Sequence, residues 1–186
     1  IKKRTPTAKY AAFKISTSDN IFYENNQLSG VNIYGISEEF NDIQPVDIAY
    51  GRYLSDAEFS QGSPIAVIGN EIAEKFFLDP DRAIGKMITV KGKKIIVGGV
   101  IKKQGKTMIG GWQFDQSVIL SYRFARNIMD AKRADPLILV QGQDYLSSKA
   151  LKDNLTGSMR AIRKLTPTKE ENFTLNDIND FSDAIS

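Results

Sequence analysis

Residues 64–77 read Pro-Ile-Ala-Val-Ile-Gly-Asn-Glu-Ile-Ala-Glu-Lys-Phe-Phe, and within them the spacing of apolar residues changes. Ile65–Ile68 is a short apolar run ended by a glycine, which is typical of a buried strand. The apolar residues from Ile72 to Phe77 share one face of a helix, and Asn70 is expected to cap that helix. The sequence therefore predicts a buried strand that leads directly into an amphipathic helix.

Downstream of this helix, two short strands are separated by Lys91-Gly92-Lys93. A glycine between two runs rich in β-branched residues is the usual signal of a hairpin, here formed by residues 87–90 and 94–97. The second strand continues into Gly98-Gly99, a pair that indicates a β-bulge or a close approach of two backbones. Residues 117–120 are expected to add another strand.

Upstream of residue 64, apolar and polar residues alternate in the manner of antiparallel strands. We predict strands over residues 8–16, 21–23 and 31–36, with one turn at Ser18-Asp19-Asn20 and a second turn at Glu24-Asn25-Asn26. Ser37 then occupies the N-cap position of a short helix, because acidic residues follow it in the first turn.

The C-terminal part of the chain has the pattern of a β-helix-β unit that begins after Pro136. Its strands are predicted over residues 137–140 and 172–175. Between them, regularly spaced apolar residues define one helical face, and Ser147 or Ser148 is expected to cap the helix. A helix that connects two strands in this way places the strands side by side.

The composition excludes several classes of function. The chain of 186 residues is 41% hydrophobic, which is enough apolar material for a packed core. It contains no cysteine and no histidine, so disulfides, thiolate nucleophiles, a Ser-His-Asp triad and imidazole or thiolate metal sites are excluded. A net charge of only +3, without a basic stripe, does not favour nucleic-acid binding. The chain begins with Ile1, so we expect a domain excised from a longer protein.

Chemistry based only on carboxylates remains possible without cysteine and histidine, since a glycosidase needs just two Asp or Glu residues. Glu38 and Glu39 are adjacent and would point apart on a helix, so they cannot act as a facing acid and base. Asp177, Asp180 and Asp183 are spaced by three residues, unlike the alternating ligands of a calcium loop, and a solvated helix face explains them better. The sequence indicates no catalytic residue and no metal ligand.

One segment resembles a nucleotide-binding motif. Gly105-Lys106-Thr107 is similar to the end of a P-loop, in which backbone N–H groups and a lysine hold phosphates. The leading glycine of that motif would fall at residue 100, which is Val100, and the residues that follow do not predict a helix. Nucleotide binding is therefore not expected here.

A glycine-rich, basic and aromatic loop over residues 102–116 is the candidate partner-binding site. A large aromatic residue on such a loop is the kind of anchor that protein interfaces favour. The alternative is that the tryptophan folds back onto the core as a lid. The candidate contact residues are Lys102, Lys103, Lys106, Trp112 and Phe114.

Several short motifs occur in the order typical of one known family, over about residues 30–175. The first is a Gly-Arg-aromatic-apolar-Ser segment that begins at Gly51 and ends at Glu58. One of the motifs that follow, the segment from Asp81 to Lys86, has Ala83 where the family usually has proline. The remaining motifs are Ala66-Val67-Ile68-Gly69, Ala73-Glu74-Lys75-Phe76-Phe77, Asp81-Arg82-Ala83-Ile84-Gly85-Lys86 and Val97-Gly98-Gly99-Val100-Ile101. Together they resemble the MacB-like periplasmic core domain of ABC-transporter permeases.

The resemblance implies an α+β fold with two lobes. A β-helix-β, porter-like lobe would be built from both chain ends, residues 1–38 and 136–186, with its first unit truncated. A mixed α/β lobe over residues 39–135 would be inserted into it. Domains of this kind lie in the periplasm, as the extracytoplasmic part of a bacterial inner-membrane protein.

The resemblance also implies a role without catalysis. Such domains couple ATP hydrolysis on the cytoplasmic side to export of a substrate or to action on envelope partner proteins. The domain needs no cofactor, because ATP is used by a separate nucleotide-binding domain. The expected partners are the ABC ATPase domain or subunit, reached through the membrane helices of the parent, a periplasmic adaptor with an outer-membrane channel, and a second copy of the parent in a homodimer.

Two other readings remain open at this point. One is a receptor domain on the same type of permease that senses a peptide or a lipid. Such a domain would be stabilised by its ligand in isolation, whereas a coupling domain would need its adaptor. The other is an enzyme based on two carboxylates, which would require both groups in one cleft.

Overall fold

The computed structural model describes residues 1–105, 113–130, 133–144, 147–163 and 174–176. The strands are β1 (Ala8–Tyr23), β2 (Asn26–Ile36), β3 (Ile48–Gly51), β4 (Ile65–Ile68), β5 (Met87–Val90), β6 (Lys93–Ile101), β7 (Ser117–Ser121) and β8 (Asp135–Gly142). The helices are α1 (Phe40–Ile43), α2 (Asp56–Gln61), α3 (Asn70–Phe77), α4 (Tyr122–Ile128) and α5 (Ser148–Ile162), with 3₁₀ turns at Lys2–Arg4 and Pro80–Ala83. The predicted mixture of helices and strands is confirmed, and the described residues are dominated by sheet.

The chain divides into two compact units. The smaller unit contains residues 1–11 and 140–186, and the larger contains residues 12–139. Both ends of the chain contribute to the smaller unit, whose N-terminal segment ends at residue 11. Residues 12–23 of β1 and all of β2 lie in the larger unit, where they are hydrogen-bonded into its sheet.

Six strands of the larger unit pair in a closed ring, in the order β1-β2-β7-β4-β6-β5 and back to β1. The pairs β2–β7 and β4–β6 are parallel, and the other four are antiparallel. Strand β3 adds to β6, and β8 pairs with β1. Because the ring is closed, its strands have an inner and an outer face, and consecutive side chains alternate between them.

Apolar residues cover the inner face and, near β4 and β7, the outer face as well. On β7, Val118 and Leu120 join the inner cluster with the helix residues Ile72 and Phe76, while Ile119 joins the outer cluster. The outer cluster contains the helix residues Phe40 and Phe59 together with Leu54, Val67, Ile101 and Phe114. Strands β4 and β7 are therefore buried on both faces, which explains their continuous apolar runs.

The glycine pair Gly98-Gly99 of β6 forms both a β-bulge and a close approach of two backbones, the two roles that the sequence indicates. The pairing of β4 with β6 shifts between Ala66 and Val67, which leaves Gly98 as the extra residue of a bulge. A Cβ atom at Gly99 would collide with the backbone carbonyl of Arg52, so this position requires glycine. The bulge reverses the alternation of β6, and Val100 returns to the inner face while Ile101 lies outside.

The hairpin of β5 and β6 and the strands over residues 65–68 and 117–120 are confirmed, but the turn predicted at residues 18–20 and the cap predicted at Ser37 are wrong. The expected turn at Ser18-Asp19-Asn20 lies inside β1, because β1 continues through a bulge there and the chain reverses at residues 24 and 25. Ser37 does not cap α1. Its hydroxyl accepts a hydrogen bond from the backbone N–H of Phe13 at 2.8 Å, since pairing along β1 and β2 brings the two together.

The start of α3 also differs from expectation. Gly69 occupies the N-cap position, and Asn70 is the first residue of the helix. The Asn70 side chain is buried, and its Oδ1 atom has no hydrogen-bond partner among the described residues. A Cβ atom at Gly69 would collide with the carbonyl oxygens of Phe114 and Asp115, so the close approach of that segment leaves room only for glycine at the cap.

In the smaller unit, Ser147 caps α5, and its hydroxyl accepts a hydrogen bond from the N–H of Ala150 at 3.3 Å. The hydroxyl groups of Thr5 and Ser158 are 2.6 Å apart and buried, which joins the N-terminal segment to α5. The strand predicted over residues 172–175 begins outside the described residues, and its described part, Thr174 and Leu175, is not in a strand.

Candidate partner-binding site

The candidate loop leaves the sheet at the end of β6 and returns to it at the start of β7. We call residues 102–105 and 113–116 the loop base. Lys106 and Trp112 lie outside the described residues, so the structure places only Lys102, Lys103 and Phe114 of the predicted set.

Asp115 joins the two sides of the loop base. Its carboxylate accepts hydrogen bonds from the backbone N–H groups of Gln104, at 2.9 Å, and Gly105, at 3.0 Å. The Gln104 side-chain oxygen accepts from the N–H of Phe114 at 3.1 Å. Asp115 is only 4% exposed, and hydrogen bonds to a charged acceptor are among the stronger ones. The loop therefore begins and ends on a fixed platform.

The platform is attached to the first turn of α3. The carbonyl oxygen of Asp115 accepts from the N–H of Glu71 at 3.1 Å, and the carbonyl oxygen of Ser117 accepts from the N–H of Gly69 at 2.8 Å. Phe114 lies beneath the loop base and is 1% exposed in the outer apolar cluster. Its ring therefore anchors the loop base to the core and is not on the surface that a partner would meet.

The two described lysines of the predicted set differ in their surroundings. Lys103 forms an ion pair with Glu74 of α3, with 3.4 Å between Nζ and Oε1. Lys102 is exposed, and its backbone N–H donates to the carbonyl of Asp47 at 2.8 Å. Among the described residues, no ion pair to the Lys102 ammonium group is found.

Glu71 adds a charged group beside the loop base. Hydrogen bonds from Lys75 and from Gln116, with distances of 2.7 and 2.8 Å, hold the pKa of the Glu71 carboxyl below its usual value, and Lys75 contributes most. Sequence analysis missed Glu71 and Asp115 as parts of this site. No local pattern marks Asp115, because its partners are ten and eleven residues away and meet it only after folding.

The Gly-Arg-aromatic-apolar-Ser motif forms a second fixed element. The guanidinium of Arg52 contacts both carboxylate oxygens of Glu58, at 2.9 and 2.6 Å. Glu58 also accepts from the N–H of Ser55 at 2.8 Å, and Ser55 in turn caps α2 in a capping box. These bonds lower the pKa of Glu58 to about 2, with the Arg52 hydrogen bond as the largest cause. The spacing Ser-x-x-Glu is the sequence signal that could have identified Ser55 and Glu58 as a capping box.

The described residues offer little for chemistry. Among them, no group of three or more acidic residues is arranged to hold a metal ion, and the three spaced aspartates near the C-terminus lie outside the described part. The N–H of Gly105, which a P-loop would offer to phosphate, is bonded to Asp115. Within the described part of the chain, no helix combines the length and apolar character needed to cross a membrane.

Comparison with known proteins identifies relatives among ABC export permeases. The macrolide export ATP-binding/permease protein MacB of Aggregatibacter actinomycetemcomitans is 23% identical over 148 residues, which cover 79% of this chain and 22% of that protein. The MacB protein of Neisseria gonorrhoeae is 27% identical over 88 residues, 47% of this chain and 13% of that protein. The chain thus spans less than a quarter of the length of these curated relatives.

Solved structures show the same fold. The periplasmic region of MacB from Actinobacillus actinomycetemcomitans matches with a TM-score of 0.79 and 17% identity, covering 98% of this chain and 78% of that one. The extracellular domain of the noncanonic ABC-type transporter YknZ from Gram-positive bacteria matches with a TM-score of 0.71 and 17% identity, covering 88% and 81%. The family model of the MacB-like periplasmic core domain matches residues 1–158. The chain therefore belongs to the family of MacB-like periplasmic core domains.

Proposed function

We propose that this chain is the non-catalytic extracytoplasmic domain of an ABC-transporter permease in a bacterial inner membrane. In this role it couples ATP hydrolysis, carried out by a separate nucleotide-binding domain, to export of a substrate or to action on envelope partner proteins. The match to the family over residues 1–158 carries this proposal. The domain itself binds no cofactor, and the parent acts as a homodimer.

The loop base supports a mechanical role. A domain that transmits motion needs contact sites fixed to a rigid body, because motion is lost wherever the connection can yield. Here Asp115 and Phe114 tie both sides of the loop to α3 and to the outer cluster. Lys102, Lys103, Lys106 and Trp112 would form the contact with a periplasmic adaptor, which would in turn reach an outer-membrane channel.

The test uses the full-length permease with its ATPase, isolated from membranes together with its co-purifying adaptor. We expect Trp112→Ala to reduce adaptor co-purification and adaptor-stimulated ATP hydrolysis by about tenfold, because one aromatic anchor commonly carries that much of an interface. Basal ATP hydrolysis should not change. Tyr50→Ala is the matched control, since Tyr50 is also an exposed aromatic residue but lies on β3.

Two outcomes would contradict this proposal. If Trp112→Ala left the adaptor bound and the stimulated rate unchanged, the loop would not be the contact. If instead a peptide or lipid alone raised the melting temperature of the chain by several degrees, without an adaptor, the ligand-sensing alternative would be favoured.

A further inference from the structure

The outer face of the β5–β6 hairpin has a surface that the proposed function does not use. Residues directly opposite each other in paired strands lie on the same face. The pairs Met87–Ile96 and Ile65–Ile96 define one row across the sheet, and the pairs Phe22–Thr89 and Thr89–Lys94 define the next. We call this the outer hairpin surface; it consists of Phe22, Ile65, Met87, Thr89, Lys94 and Ile96.

This surface departs from the usual alternation of a half-buried sheet. The inward residues Ile88 and Ile95 are fully buried, as expected. On the outward side polar residues are the rule, yet Phe22, Met87 and Ile96 are 40%, 51% and 40% exposed. Large apolar side chains on neighbouring strands form a contiguous patch, and such patches mark interaction sites more often than scattered single residues do.

The same outer face is covered elsewhere in the larger unit. Around β4 and β7 the rings of Phe40, Phe59 and Phe114 pack over it, and Val67 and Ile119 become inaccessible. Met87, Ile96 and Phe22 belong to neither of the two apolar clusters of the described residues, to which the helices contribute side chains. The outer face is therefore apolar both around β4 and β7 and on the β5–β6 hairpin. Among the described residues, aromatic side chains cover it around β4 and β7 but leave it exposed on the hairpin.

The charge around the surface defines its partner. Residues 84–98 contain Lys86, Lys91, Lys93 and Lys94 and no aspartate or glutamate. Lys91 is paired with Asp19 at 2.9 Å. Lys86, Lys93 and Lys94 are exposed, and no ion pair to them is found among the described residues. An apolar centre with a cationic rim complements a segment that is apolar on one side and acidic at its edges.

We propose that the outer hairpin surface binds an acidic, apolar segment of a partner protein. The apolar side chains of that segment would cover the exposed apolar row, and its carboxylates would meet the lysines of the hairpin. An anionic membrane has the same two chemistries, but it requires apolar groups that reach about 5–10 Å below the headgroups. Phe22, Met87 and Ile96 are half-buried on a pleated face and cannot project that far, so a protein surface fits better.

The test uses the full chain, labelled with ¹⁵N, and two amphipathic peptides of equal length. Both have the same leucine face, and their polar positions are all glutamate in one and all lysine in the other. We expect the glutamate peptide to shift the amide signals of residues 87–89 and 94–96, and the lysine peptide to leave them unchanged. Ile96→Ser and Lys94→Glu should each weaken glutamate-peptide binding about tenfold. Leu78→Ser, at a site 83% exposed on the cap of α3, should have no effect.

Three results would overturn the inference. The first is an equal response to both peptides, or to neither at millimolar concentration. The second is a shift of the same amides by phosphatidylglycerol vesicles but not by the glutamate peptide, which would assign the surface to a membrane. The third is self-association of the chain that perturbs the same amides and disappears in Ile96→Ser, which would assign it to a second copy.

The amide spectrum of each variant shows whether it is folded, and Lys94→Glu changes only an exposed side chain. The inference does not rest on the proposed function, since it involves none of the loop-base residues.

Discussion

Arg52 and Glu58 show how one ion pair can hold a sequence motif in place. We expect Glu58→Gln to lower the free energy of unfolding by about 1–2 kcal/mol at pH 7, because it removes the charged partner of Arg52 but retains an amide that can cap α2. Urea denaturation would measure this change. Glu38→Gln is the control, since Glu38 is exposed and the change should be within about 0.5 kcal/mol.

The same pair predicts a pH dependence. The pKa of Glu58 is lowered in the folded state from 4.5 to about 2, so the folded state holds fewer protons than the unfolded state across that range. The stabilisation is therefore fully present above pH 4.5 and is lost as the pH falls towards 2. The difference in stability between the wild type and Glu58→Gln should shrink over this range. A difference that stayed constant with pH would show that the charge of Glu58 contributes nothing.

Lys14 predicts a pH dependence at the other end of the scale. Burial lowers its pKa to about 8, although Asp135 opposes the shift, and its ammonium lies 4.6 Å from the centre of the Tyr34 ring. As the pH rises, Lys14 therefore loses its proton in the folded state before it does so in the unfolded state. Because the unfolded state then binds more protons, the free energy of unfolding should rise between pH 8 and 10.5. Lys14→Met should raise the stability at pH 7 by on the order of 1 kcal/mol and abolish the rise. Thermal melts at pH 7 and 10 would decide, and a rise that persisted in the variant would contradict this assignment.

At the level of elements, two glycines have opposite roles. We expect Gly99→Ala to destabilise the larger unit by about 2–4 kcal/mol, because the added Cβ atom meets the backbone of Arg52, which cannot move without disturbing the β3–β6 pairing. Gly157→Ala is the matched substitution in α5. Its Cβ atom would enter open space, so the helix should gain about 0.5–1 kcal/mol. Denaturant unfolding of both variants tests the comparison, which fails if Gly99→Ala is neutral.

The elements also show which local signals were sufficient. The hairpin of β5 and β6 and the strands β4 and β7 followed from periodicity and turn residues alone, and the cap of α5 was narrowed to Ser147 or Ser148, of which the structure selects Ser147. The turn expected at residues 18–20 did not, because polar residues that favour a turn in isolation are held in β1 by pairing with β2. Tertiary pairing overrides a weak local preference wherever a long ladder of hydrogen bonds competes with it.

For the whole molecule, we predict a gradient of amide exchange. The amides of residues 66–68 and 118–120 should exchange slowest, because β4 and β7 have partners on both sides and are buried on both faces. The amides of the 3₁₀ turn at Lys2–Arg4, where no residue is buried, should exchange fastest among the described elements. Hydrogen exchange followed by mass spectrometry would measure this order. Equal protection in these segments would contradict the closed ring as the stable centre of the larger unit.

The sequence alone determined the type and place of most elements, the exclusion of chemistry based on cysteine or histidine, and the family. These depend on residue types and on spacings of a few residues, which local physics translates directly into strands, turns and caps. Only the tertiary structure decided that β2 and residues 12–23 of β1 belong to the larger unit, that Phe114 is buried, and that Asp115 fixes the loop base. Each of these depends on which distant segment lies alongside. The closure of the strand ring determines which distant segments lie side by side, and no local sequence pattern specifies that closure.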